Sequence, residues 1–180
     1  EVFISLVHGD VDNAQNELKY ILEKYILPMS VNETPVLSYN VWYTDDAAEK
    51  LYLEDLEFAS WMGFEWFVLD ASWYEGSSTI PGTNDWAAGL GSYKESKVKF
   101  PHGMKYLSQK VHEKGMKFGI WVDPQNVESR RVLSGEIPSE WIAQVNGKDL
   151  ESAHPTLSRM TQLCLGNPEV VEWLKNELAR

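Results

Sequence analysis

The stretch Phe64–Trp73, FEWFVLDASW, constrains the fold more than any other part of the chain. From Phe64 to Asp70 it is almost continuously apolar or aromatic, as in a strand buried on both faces of a parallel sheet. The run ends in a carboxylate, Asp70, followed by small residues and Trp73. An acid beside an aromatic at the C-terminal end of a buried parallel strand is where barrels and open α/β sheets put ligand chemistry. The plainer role for Asp70 is to cap the turn that follows.

A similar pattern recurs on either side. Val36–Trp42 reads as a strand. Asp45 and Asp46 cap a helix whose Ala48, Leu51, Tyr52, Leu56 and Ala59 keep helical spacing, with Gly63 as its C-cap. After the central strand, residues 75–101 form a long stretch rich in Gly, Ser and Thr, expected to be a functional loop or a lid. Met104, Leu107 and Val111 mark the next helix, closed by Gly115, and Lys117–Val122 is a third strand running into Asp123-Pro124. An irregular stretch, a short helix around Pro138–Val145 and a weak apolar run at Gln162–Leu165 lead to a last helix. Asn167 caps it, Pro168 opens it, and Glu169 sits near the positive end of its dipole. Ahead of the series, Val2–Val7 is strand-like, and Asp10 or Asp12 caps a helix with Leu18, Ile21, Leu22, Tyr25 and Ile26 on one face, stopped by Pro28.

Strand and helix alternating three times, with glycine punctuation, make a βα series and hence a parallel sheet. Residues 1–34 are read as a linker and lead-in helix from a preceding domain, and 35–180 as α/β. Three units fit the first part of a (β/α)8 TIM barrel, which takes about 250 residues in full. A small open α/β domain, complete as it stands, is the alternative. The abrupt start and a terminal helix with no strand after it favour the partial barrel.

Composition narrows the function. Lys+Arg 16 against Asp+Glu 27 leaves a net charge of −11, which disfavours nucleic acid and an anionic membrane surface as partners. The single cysteine, Cys164, excludes an intrachain disulfide and a Cys-rich metal site, and is read as a small buried residue. No apolar run approaches the roughly 18 residues of a membrane span. His8, His102, His112 and His154 lack metal-ligand spacing, and neither a dinucleotide fingerprint nor a P-loop is present, so neither metal nor organic cofactor is expected. The Lys94–Lys99 cluster reads as a solvated loop. Nothing in the sequence fixes a compartment.

The three strand ends carry the candidate chemistry: Asn40 and Trp42, Asp70 and Trp73, Trp121 and Asp123. In a barrel these ends share one rim. Aromatic faces interleaved with carboxylates and an amide suit a neutral polyhydroxy ligand, the rings stacking on C–H faces and the acids accepting from hydroxyls. A high count of eight Trp agrees with that, although large cores also use Trp.

Several blocks resemble the melibiase-type α-galactosidases, glycoside hydrolase family 36. They are Pro35–Trp42 (PVLSYNVW), Phe67–Trp73 (FVLDASW), Asn84-Asp85-Trp86, Phe100-Pro101-His102-Gly103, Lys114–Pro124 (KGMKFGIWVDP) and Gln162–Val170 (QLCLGNPEV). They run in the family's order over nearly the whole chain. The resemblance implies a retaining α-glycosidase acting on an oligosaccharide or glycoside, with no cofactor. It further implies that Asp70 binds sugar hydroxyls at the −1 subsite and that Trp42 and Trp121 wall it. Arg159 matches the family's arginine ahead of its fourth strand, and Asp123 and Gln125 fall at acidic positions of its WxEPE segment. Where the family has an Asp pair gripping galactose, this chain has Asp70-Ala71. The family's nucleophile and acid/base are expected beyond Arg180, so sugar binding rather than bond cleavage is the role expected of these residues. A carbohydrate-binding barrel relative without turnover and a self-contained α/β interaction domain are the alternatives. A partial barrel on its own is expected to be marginal, oligomeric or aggregation-prone.

Overall fold

The computed structural model describes residues 9–26, 36–43, 47–79, 85–153 and 157–179, and the chain divides into two units, 1–36 and 37–180. In the first unit, helix α1 (Val11–Ile21) continues as a π-helical turn over Leu22–Ile26. Asp10 is its cap, accepting from the Asn13 N–H at 3.0 Å. Asp12 lies inside the first turn, where the positive end of the dipole favours it. The expected strand at 2–7, the Pro28 stop and the caps Asp45 and Asp46 lie outside the described residues.

The second unit opens with β1 (Ser38–Val41), α2 (Ala48–Trp61), β2 (Trp66–Leu69), α3 (Met104–Glu113) and β3 (Lys117–Ile120). The strands form a parallel sheet in the order β1-β2-β3. Its register aligns Tyr39 with Phe67 and Phe118, then Val41 with Leu69 and Ile120. This face packs on the helices, burying Phe67 and Leu69 among Tyr52, Leu56, Leu107 and Val111. Tyr39 stacks on Phe67 at 5.7 Å, and Tyr52 meets the same ring edge-on at 6.3 Å. The apolar run of β2 led us to expect burial on both faces. Only the helix-facing side is sealed: Trp66 and Val68 are half-buried.

The opposite face presents Ser38, Trp66 and Lys117, then Asn40, Val68 and Gly119. The sheet is tight there. A Cβ on Gly119 would stand 3.0 Å from Val68 Cγ2, so glycine gives Val68 its room. Gly63 and Gly115 directly follow the C-caps of α2 and α3, Met62 and Lys114, at φ of +81° and +75° with open space around them. Their role is therefore conformational: they let the chain leave each helix and enter the next strand.

The stretch 75–101, expected to be a loop or lid, consists in its described residues of turns and one isolated bridge, and part of it enters the core. Ala87, Leu90 and Phe100 are buried with β2, and Tyr74 bridges Glu95. Beyond β3 come β4 (Asn126–Glu128), α4 (Ser129–Leu133), a 3-10 turn at Ser139–Trp141, β5 (Gln144–Val145), β6 (Lys148–Asp149), β7 (Glu151–Ser152), β8 (Met160–Gln162) and α5 (Pro168–Leu178). A small antiparallel sheet runs β4-β8-β7, and β5 and β6 form a hairpin. The helix expected around Pro138–Val145 is thus one 3-10 turn followed by a strand, because Asn146-Gly147 is a strong hairpin turn. A second core gathers Val127, Ile137, Ile142, Leu163, Val170 and Leu174. Asn167 caps α5 as expected, accepting from the Glu169 N–H at 2.9 Å.

Candidate functional site

The parallel ladder runs one step past the strands. The Asp70 N–H donates to Val41 O at 2.9 Å and the Trp121 N–H to Leu69 O at 2.7 Å. Strand alternation then sends Trp42, Asp70 and Trp121 to the face of Asn40, Val68 and Gly119, away from the helices. With Ala71 and Trp86 they line a cavity of about 300 Å³. Trp86 meets Trp121 edge-on at 5.7 Å. Asn40 Nδ2 donates to Asp70 Oδ2 at 2.9 Å, and Asp70 Oδ1 accepts from the Ala71 N–H at 2.7 Å. Each carboxylate oxygen therefore holds one of these hydrogen bonds and keeps acceptor capacity for a ligand hydroxyl.

The turn after Asp70 fixes this arrangement. Ser72 has a φ of +71°, a left-handed conformation that destabilises a non-glycine residue by about 1–3 kcal/mol. Its hydroxyl accepts from Trp42 Nε1 at 3.3 Å. Trp73 turns into the core, where its Nε1 donates to Trp121 O at 2.8 Å. Lys99 Nζ donates to Ser72 O at 2.8 Å and to Ser77 Oγ at 3.0 Å. Lys99 has 0% exposure, so the expectation of a solvated Lys94–Lys99 loop fails at this residue: its ammonium is met by protein acceptors instead of water. Its position directly before the apolar Phe100-Pro101 corner is the trace of this in the sequence.

Asp85 holds Trp86 in place. Its Oδ1 accepts from the N–H groups of Ser158 at 2.8 Å and Ala88 at 3.2 Å, and its Oδ2 from Ser158 Oγ at 2.8 Å. The Tyr74 hydroxyl donates to Trp86 O. Burial above all pushes the Tyr74 phenol up; a hydrogen bond at the Ser72 backbone opposes this, and the charges of Asp123, Asp70 and Asp85 add to it. The phenol is therefore a permanent donor. Asp85 carried a signal in the Asn-Asp-Trp motif, whereas nothing local singled out Tyr74.

The remaining residues singled out in the sequence stand elsewhere. Asp123 Oδ1 accepts from the Gln125 and Asn126 N–H groups, both at 3.0 Å, and its Oδ2 from Asn126 Nδ2 at 2.9 Å. It closes the turn after β3. Tyr93 donates to the Asp123 carbonyl at 3.1 Å, and burial first, then the Asp123 charge, pushes its phenol up to about 12. Arg159 is exposed and pairs with Glu151 at 3.0 Å. The structure thus brings Trp42, Asp70 and Trp121 together, sets Trp73 behind them, and leaves Asp123 and Arg159 outside the cavity lining. Cys164, read as buried, is half-buried in the turn between β8 and α5. Among the described residues no group of His, Cys, Asp and Glu could hold a metal ion, and no helix is long and apolar enough to cross a membrane.

Residues 8–180 match the Melibiase family. The α-galactosidase Mel36A of Lactobacillus acidophilus is 29% identical over 148 residues, which is 82% of this chain and 18% of that protein. The solved α-galactosidase TtGalA of Thermus thermophilus, in complex with p-nitrophenyl α-D-galactopyranoside, superposes with a TM-score of 0.65 at 25% identity, covering 83% of this chain and 29% of that one. The family 36 α-galactosidase AgaB of Geobacillus stearothermophilus gives a TM-score of 0.63 at 25% identity, over 82% of this chain and 19% of that one. The chain spans about a fifth of the length of the curated relatives it matches.

Proposed function

Because the chain belongs to the melibiase family, we propose that its β1–β3 rim forms part of the sugar site of a retaining α-glycosidase. In this reading β1 with α2, β2 with α3, and β3 with α5 are the first three βα units of a (β/α)8 barrel, and the substrates are terminal α-linked sugars, galactosides first. One observation carries the proposal: Trp42, Asp70 and Trp121 leave three adjacent parallel strands on the same face and line one cavity with Trp86. Indole faces suit the C–H face of a pyranose, and Asp70, oriented by Asn40, accepts from its hydroxyls. The relative from Thermus thermophilus has been solved with an aryl α-galactoside and with stachyose, which supports this substrate class.

A retaining mechanism needs two carboxyls about 5–5.5 Å apart, one as nucleophile and one as acid/base. We assign binding and orientation, not bond cleavage, to the residues of this chain. Asp70 is engaged by Asn40 and Asp123 by its own turn, and the catalytic pair is assigned to later strands of the barrel. Trp73 supports the rim from behind through Trp121 O, Asp123 shapes the turn after the third strand, and Arg159, exposed and paired with Glu151, is given no contact with the sugar.

A second reading rests on Ala71, which lines the cavity where the family's second acid would stand. Without that acid the galactose grip is weaker, as in a carbohydrate-binding barrel that has no turnover. The native protein should be assayed on aryl α-galactoside, α-glucoside and α-N-acetylgalactosaminide, with galactose protection of its thermal melt measured alongside. Turnover of the galactoside that Asp70→Ala removes is the expected result. Galactose protection lost in Asp70→Ala, with no turnover of any substrate, supports the second reading. Neither turnover nor protection overturns both.

A further inference from the structure

We propose that Lys99 is a positioning residue for the sugar site: its buried ammonium anchors Ser72 and, through Ser72, sets Trp42 and Asp70 at the cavity. The inference rests on the reading of that cavity as a sugar site. Two non-glycine residues with positive φ stand among the described residues, Ser72 and Asn146. Asn146 occupies a hairpin turn that favours asparagine. Ser72 has no such turn, so its conformation must be held by its surroundings.

Lys99 supplies the hold. An ammonium has only donors, and two of them meet Ser72 O at 2.8 Å and Ser77 Oγ at 3.0 Å. The anchor is itself fixed, because Lys99 O accepts from the Glu49 N–H in the first turn of α2 at 3.0 Å. The far side of Ser72 reaches the cavity: its hydroxyl accepts from Trp42 Nε1, and Asp70 lies two residues before it on the same strand end. A shift of Ser72 therefore moves one aromatic wall and the carboxylate together. Ser77 Oγ also donates to Ser72 O, at 2.9 Å, so removing the ammonium takes away one of two donors to this carbonyl, the charged one, and loosens the restraint on the left-handed turn.

The test uses the native protein and galactose as the probe. Lys99→Met keeps the length of the side chain and removes its donors. Leu107→Ala, in the core on α3, controls for lost stability alone. Galactose Kd is measured by calorimetry at a temperature where every variant is folded. Lys99→Met is expected to weaken binding on the order of ten- to a hundredfold, as for a misplaced binding group, while Leu107→Ala lowers the melting temperature and leaves Kd unchanged. A Lys99→Met protein with lowered melting temperature and unchanged Kd overturns the proposal. Should Lys99→Met fail to fold, Ser77→Ala removes one acceptor of the ammonium together with the second donor to Ser72 O, and Ser72→Ala breaks the link to Trp42. Each is expected to weaken galactose by a smaller factor, and unchanged Kd in both overturns the proposal. Asp70→Ala judges the sugar reading separately. If it leaves Kd intact, that reading fails and the anchor is judged by amide exchange over residues 70–73. Faster exchange in Lys99→Met than in Leu107→Ala supports the anchor; equal exchange overturns it.

Discussion

Asp70 and Asp123 occupy the same place in the sequence pattern, each an acid beside a tryptophan at the end of a parallel strand, yet the structure uses them differently. Asp70 receives one hydrogen bond from the Asn40 side chain and one from its own next backbone N–H, and faces a cavity lined by three indoles. Asp123 takes two backbone N–H groups and an amide within three residues of itself. A carboxylate absorbed by its own turn organises backbone; one held by a neighbouring strand keeps capacity for a ligand. Motif position does not distinguish the two, and hydrogen-bond allotment does.

Substitutions can break or sharpen that contrast. Asp70→Ala removes charged hydrogen bonds to a ligand, of about 1.5–3 kcal/mol. It is expected to weaken galactose roughly ten- to a hundredfold by calorimetry, with little change in melting temperature. Asp123→Ala should do the reverse, lowering stability by about 1–2 kcal/mol in urea denaturation, as for a lost side-chain cap, with a much smaller change in Kd. If both variants lose binding equally, the contrast is wrong. Ala71→Asp tests the cavity from the other side. A second acid there should tighten galactose by about 1 kcal/mol, roughly fivefold, in the same titration. Weaker binding would mean that the cavity has no room for it.

The smallest expected effect concerns Glu95, which caps the start of α3 through the Met104 N–H and pairs with Lys97. Burial alone would raise its pKa, but the hydrogen bonds from Lys97 and Met104, with the Lys97 charge, outweigh it and hold the carboxyl below its ordinary 4.5. The folded state thus binds this proton less tightly than the unfolded chain. The stabilisation is complete above 4.5 and is lost as pH falls through the depressed value. Glu95→Gln should flatten the acid side of the melting-temperature profile by a few degrees at most. An unchanged slope would show that Glu95 contributes nothing there.

Much of the sheet was legible in the sequence because apolar runs, helical spacing and glycine punctuation encode it locally. Short apolar runs between helical segments marked β1, β2 and β3, and the two-residue alternation of a strand sends Trp42, Asp70 and Trp121 to one face. The features that escaped depend on chain segments far apart. Lys99 reads as part of a solvated lysine cluster, and its contacts with Ser72 and Ser77, 27 and 22 residues away, go with its burial. Asp85 reaches Ser158 across 73 residues. Asn146-Gly147 carries a local hairpin signal that the expectation of a short helix around Pro138–Val145 did not use.

Gly119 and Val68 leave the sequence little independent freedom. With 3.0 Å between a notional Cβ on one and a methyl of the other, a side chain can be gained at position 119 only if Val68 shifts by a few tenths of an ångström or gives up bulk. The two sites should drift as a coupled pair, and an alanine arriving alone at 119 would be felt first two residues further along, at Asp70 and Trp121, where the strands open onto the cavity.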